Sequence, residues 1–284
     1  MRIVVFSSGS SGNATLIQTN KANILVDCGL TKKAINDNLL KYDLSLLDIN
    51  YLFITHEHID HVKAFQQLLK LNNIKIYISK GTLDALYAQY YKDKKYNDCA
   101  LIDERLKNNL ITVIERIPDS ILYPEYVIDD FRVQVLPTFH DASEPIGFTF
   151  DSDGKKLCYI TDTGYVHKDL KDYIYNCDGY ILESNHDPEM LLHSSRPYQL
   201  KLRILSDHGH LSNEDSMVAL ANIIGEKTKL VMHAHVSEEC NLSPIIEMTR
   251  KRVLEGYGIN RDDITYVILS RRPSGEYNLW KLQY

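Results

Sequence analysis

The densest chemistry in the chain lies at His56-Glu57-His58-Ile59-Asp60-His61, three imidazoles and two carboxylates within six consecutive residues. A chain of this composition would carry HxHxDH by chance in roughly one case per thousand. The apolar run Tyr51 to Thr55 before it reads as a buried strand, and a helix is expected from about Asp60 to Leu71, with Val62, Phe65, Leu68 and Leu69 on one face. A strand end thus delivers the motif. His56 and His58 would face one position, while Asp60 and His61, at the mouth of the helix, would face a neighbouring one. Imidazole and carboxylate donors in this grouping suit a divalent cation.

Two nitrogens alone hold such an ion poorly, so further donors must come from elsewhere in the chain. His140 follows the strand-like run Phe131 to Leu136, Asp162 follows Leu157 to Ile160, and His235 follows Leu230 to Met232. Strand ends gather at one rim of a sheet, which allows these distant groups to converge. His233 competes with His235 for the last place, and His208 and His210 stand close by.

The elements that must position these groups alternate between strand and helix. Strands are expected at Arg2 to Phe6, Ala14 to Thr19, Asn23 to Asp27, Ile74 to Ile78, Ile146 to Phe150 and Tyr180 to Leu182. Thr31 can cap a helix that runs to about Tyr42, and Thr82 to Tyr91 reads as another. Two more are expected at about Pro188 to Leu205 and Asn213 to Ile224, the second behind the capping pattern Ser212-x-x-Asp215. Ser243, as cap, and Pro244 open a last long helix. Tyr91 to Asp129 reads as an insertion or edge region. With no sequence repeat or composition break, residues 1–284 are expected to form a single α/β domain.

Composition narrows the function. The 284 residues are 44% hydrophobic, enough for a buried core and too apolar for a disordered chain. Five widely spaced cysteines without a CxxC argue against both a disulfide framework and a thiolate zinc site. Neither a secretory segment nor a run of about 18 apolar residues is present, so a cytoplasmic protein with no membrane partner is expected. A net charge of -6 argues against holding a polyanion by bulk electrostatics. Divalent metal at the histidine-rich rim would offset part of that charge there, so a polyanion would be gripped locally. A P-loop, a GxGxxG and a serine with catalytic partners are all missing.

The order Asp27, HEHIDH, His140, Asp162, His235 resembles the metallo-β-lactamase superfamily over nearly the whole chain. SGSSGN near the start, HDASEP after His140, TDTGYV, LESNHD and GHLSNED are similar to the WalJ/YycJ/VicX-type exonucleases within it. The resemblance implies a four-layer αβ/βα sandwich with two metal ions, Zn or Mn, with Fe also accepted by such sites. It implies that His56, His58 and His140 bind the first and Asp60, His61 and His235 the second, with Asp162 bridging and Asp27 hydrogen-bonding the ligands from behind. Hydrolysis by a hydroxide held between the metals is the implied chemistry, since coordination can bring water to a pKa of about 7.

By the same resemblance, His210 in GHLSNED would contact phosphate or protonate the leaving oxygen. Ser212 and Asn213 open a helix whose free N–H groups suit an anion, and the Ser7 to Asn13 loop, with Ser10 and Asn13, offers further donors. Arg196, Tyr198, Lys201 and Arg203 could track a nucleic-acid backbone. The leading expectation is a 5′ to 3′ DNA exonuclease. A hydrolase of small esters, thioesters or cyclic phosphodiesters is the alternative enzyme, and a catalytically weak signalling partner the alternative from another class. Oligomeric state is not legible.

Overall fold

A computed structural model describes residues 1–281. The first sheet carries β1 (Arg2–Ser7), β2 (Ala14–Gln18), β3 (Asn23–Val26), β4 (Tyr51–Phe53), β5 (Lys75–Ser79) and β6 (Ile111–Ile114) in chain order. The second carries β7 (Glu125–Ile128), β8 (Phe131–Pro137), β9 (Ile146–Ser152), β10 (Lys155–Ile160), β11 (Gly179–Glu183), β12 (Leu230–Ala234) and β13 (Thr265–Ile268), also in order. A last strand, β14 (Glu276–Asn278), returns to pair with β1. In each sheet an antiparallel meander passes into parallel strands, from β3 in one and β10 in the other. One topology is thus repeated without a repeat in sequence.

The helices occupy the outer layers. Against the first sheet lie α1 (Lys32–Leu40), α2 (Ile59–Val62), α3 (Phe65–Leu68), α4 (Lys80–Lys92) and α5 (Tyr96–Lys107). After these come α6 (Lys171–Ile174), α7 (Pro188–His193), α8 (Tyr198–Ile204), α9 (Asn213–Ile223) and α10 (Ser243–Gly256), of which α6, α9 and α10 cover the second sheet. Strand alternation sorts the side chains. Val5, Phe53, Phe148 and Met232 meet between the sheets, whereas Leu52, Ile54, Cys158 and Val231 face helices. Two mixed sheets between helical layers make the expected αβ/βα sandwich.

Several local expectations change. The helix expected over Asp60 to Leu71 is two short helices, α2 and α3, separated near Lys63 and Ala64. The one expected over Pro188 to Leu205 breaks because Ser194 is extended and Pro197 disfavours helix in the residue before it. Leu242, not Ser243, caps α10, and Pro244 takes the second helical position, where its missing N–H is still harmless. Of the two readings of Tyr91 to Asp129, the edge region holds and the insertion does not: the segment supplies α5 and the edge strands β6 and β7 of the two sheets.

Candidate metal centre

Six strand ends converge at one rim. Asp27 follows β3, Thr55 and His56 follow β4, His140 follows β8, Asp162 follows β10, Glu183 ends β11 and His235 follows β12. Asp27, Asp162 and His235 all take left-handed backbone, with φ of 59°, 53° and 52°. Such turns lead the chain away from the strand direction, and for a non-glycine residue they persist only when the surroundings enforce them. At His235 they do: its amide donates to Ser8 Oγ at 2.8 Å, and its carbonyl accepts from Asn185 Nδ2 at 2.8 Å.

The imidazoles share one orientation rule. His61 Nδ1 donates to Asp27 Oδ2 at 2.8 Å, His140 Nδ1 to the Gly209 carbonyl at 2.9 Å, and His235 Nδ1 to Glu183 Oε1 at 3.1 Å. His56 Nδ1 lies 3.0 Å from Thr55 Oγ1, a hydroxyl that can itself donate to Asp27. With Nδ1 occupied as a donor, each of these rings when neutral carries its lone pair on Nε2. His56 Nε2 and His235 Nε2 are buried without a hydrogen-bond partner, while Asp162 Oδ2 has only an ion-pair contact, 3.3 Å from His61 Nε2. A buried nitrogen left unpaired costs about 1–3 kcal/mol, so two of them beside a buried carboxylate call for a cation.

The donor atoms lie close enough to share ions. His56, His58 and His140 form one group within 4.8 Å, and Asp60, His61 and His235 another; Asp162 joins His56 and His61 on one side and His235 on the other. These residues fit divalent metal.

Charge balance points the same way. Burial acts to lower His61 and His235, but Asp162, helped by Asp27 at His61 and by Asp60 and Glu183 at His235, outweighs it. His61 is held well above the ordinary imidazole range and His235 at about 10. Burial works against ionised Asp60 and Asp162, yet the same histidines hold both carboxyls well below the usual range. His56 and His140 are pushed down by burial. Without metal, the centre therefore stores protons on two of its imidazoles.

The Beta-lactamase superfamily domain matches residues 22–234. This chain belongs to the metallo-β-lactamase superfamily. Exodeoxyribonuclease YycJ of Bacillus anthracis is 34% identical to it over 260 residues, covering 90% of each protein. Exodeoxyribonuclease WalJ of Streptococcus pneumoniae serotype 2 (strain D39 / NCTC 7466) is 34% identical over 245 residues, 86% of this chain and 85% of the other. The metallo-beta-lactamase fold protein YhfI from Bacillus subtilis superposes with a TM-score of 0.64 at 16% identity, covering 98% of this chain and 100% of that one. Family and donor set together make the protein a metal-dependent hydrolase.

As a superfamily member it brings together Asp27, His56, His58, Asp60, His61, His140, Asp162 and His235, and adds His210 to them. His210 Nδ1 donates to Glu183 Oε1 at 2.7 Å, and the ring stands 4.8 Å from that of His140. Asn13 is buried with Nδ2 3.0 Å from His61 Nε2, so it touches the centre itself. Ser10 lines the adjoining cleft with His140, His210 and His235. Ser212 and Asn213 do not line it: Ser212 caps α9, and Asn213 bonds Ser184 and Asn241 in the interior. His233 faces the helical layer beside Tyr266, and His208 is exposed, so neither replaces its rival.

Glu183 is the residue that sequence reasoning missed. It is fully buried, holds both His210 and His235, and accepts from the Thr163 amide at 2.8 Å. Its signal was an acidic residue closing an apolar strand inside LESNHD. Glu57 was missed as well; it accepts from the Ser143 amide at 2.7 Å and ties the His140 loop to the histidine motif.

Proposed function

We propose that the protein is a dinuclear-metal phosphodiesterase acting as a 5′ to 3′ DNA exonuclease. The observation that carries the substrate class is 34% identity, across nine-tenths of the chain, to a protein named an exodeoxyribonuclease. In this reading His56, His58 and His140 would hold one metal and Asp60, His61 and His235 the other, with Asp162 in donor range of both groups. Zn and Mn both suit such mixed nitrogen and oxygen donors. When bound, divalent ions supply Lewis acidity to a phosphodiester in the cleft.

The protein's own groups do the rest. Asp27, Thr55, Gly209 and Glu183 fix the ring orientations, so donors are set before substrate arrives. His210 lines the cleft with its Nδ1–H tied to Glu183, so the second proton of its imidazolium form sits on Nε2, from which it would pass to the leaving oxygen and leave the ring neutral. Ser10 can donate to a phosphate oxygen at the cleft wall. A cytoplasmic setting belongs to the same reading, since all five cysteines are buried free thiols.

Purified protein incubated with Mn2+ or Zn2+ and 5′-end-labelled or 3′-end-labelled DNA, beside a generic small phosphodiester, tests this. Release of labelled mononucleotide first from the 5′ end supports it; turnover of the small diester alone overturns it. His58 makes no side-chain cap bond, so His58→Ala should abolish hydrolysis and leave the metal-free protein folded. Full activity in that variant would remove the metal mechanism.

A further inference from the structure

The segment of α7 and α8 walls the cleft beside the candidate metal centre, with its own Leu191, Leu200 and Ile204 packed with Cys240. Its basic residues divide into two kinds. Lys201 is committed to the fold, its Nζ donating to the carbonyls of Leu192 at 2.6 Å and Ser194 at 2.7 Å. Arg196 and Arg203 instead line the same cleft as His140, His210 and His235.

Both arginines are fixed in one way. Arg196 Nε donates to Glu239 Oε2 at 3.0 Å, and Arg203 Nε pairs with Asp141 Oδ2. Among the described residues, the terminal nitrogens of both make no hydrogen bond. A guanidinium held through Nε keeps its two-pronged edge for a second partner, and phosphate matches that edge. Arg203 also matters through Asp141, whose Oδ1 lies 3.2 Å from His140 Nε2. Without Arg203, that carboxylate would stand bare at the cleft and repel an anion.

We propose that Arg196 and Arg203 form a phosphate clamp that grips the nucleotide beside the scissile bond. The enzyme would then select a polynucleotide over a lone diester. This rests on the nuclease reading, and it assigns the local grip that a chain of net charge -6 must have.

The test pairs binding with cleavage. Binding of the metal-loaded protein to a fluorescent 5′-phosphorylated phosphorothioate oligonucleotide, which resists turnover, is measured by anisotropy across a salt series. The Arg196→Gln and Arg203→Gln variants should bind at least about tenfold more weakly, and each should lose about 0.7 from the magnitude of the log-log salt slope. Arg203→Lys should keep the slope and recover part of the affinity, since it retains charge without the fork. In cleavage, the ratio of DNA to small-diester kcat/KM should fall by about tenfold or more, chiefly through KM for DNA.

Wild-type affinity and slope in both Gln variants would overturn the clamp, as would an equal loss on both substrates. If the wild type binds through these arginines but releases no nucleotide from DNA in either Mn2+ or Zn2+, the exonuclease reading fails and the clamp stands. If it neither binds nor cleaves, both fall.

Discussion

The carboxylate of Asp27 and the ring of His61 are both fully buried and are joined at 2.8 Å through Nδ1. Burial raises Asp27, an effect that His61 only partly offsets, while Asp162 and Asp27 raise His61 against burial, so the pair shares a proton behind the centre. Asp27→Asn keeps the shape, and Asn tolerates the left-handed backbone that position needs. It replaces one of the two acceptor oxygens with an amide N–H donor, so the Thr55 amide and His61 Nδ1–H can no longer each keep their own oxygen. Metal affinity should fall about 10–100-fold, measured by competition with a chromogenic chelator, while circular dichroism stays unchanged.

Glu183 serves two rings and two backbone amides, Thr163 and Leu211. In Glu183→Gln the new amide must face a donor on at least one side. A loss of about 1–3 kcal/mol in unfolding free energy is expected, together with weaker metal binding and a lower kcat. Urea denaturation of the metal-free protein reads the first, and wild-type stability there would contradict the arrangement.

Metal uptake should release protons. His61 and His235 are held above neutrality when the centre is metal-free, and coordination needs their lone pairs. Affinity should therefore rise with pH, through neutrality and toward about 10 for His235. Calorimetric titration at pH 7 in buffers of different ionisation enthalpy should show this release, reduced in His235→Ala. Binding enthalpy independent of buffer would contradict it.

His186 is buried with neither ring nitrogen hydrogen-bonded, and burial pushes it down to about 4. Its folded pKa lies below the unfolded one, so the unfolded chain binds the proton first as pH drops. Its contribution is fully present above pH 6.5 and is lost as pH falls through about 4. The amount is about 3 kcal/mol at most. Urea midpoints of metal-free wild type and His186→Leu between pH 7 and 4 check this: the variant should show the shallower dependence.

The sequence by itself determined the centre wherever donors are bound by short covalent spacing. HEHIDH sits on a strand end, and six consecutive residues leave its donors little freedom, so His56, His58, Asp60 and His61 converge as the spacing implies. The alternation of apolar runs likewise fixed most core strands, because a strand buried on both faces must be apolar along its length.

Tertiary structure decided what depends on register and turns. Glu183 stands beside His235 because β11 and β12 run parallel with Glu183 opposite Ala234, a pairing no local pattern encodes. His233, one residue earlier than Ala234, is committed to the helical side, while the positive φ at His235 turns that residue into the rim. Ser212 and Asn213 carry the composition of an anion site, yet the packing of α9 against the Asn185–Asn241 region turns both inward. Spacing along the chain limits only near neighbours; contacts made across sheets and layers follow from how the apolar faces seat against one another.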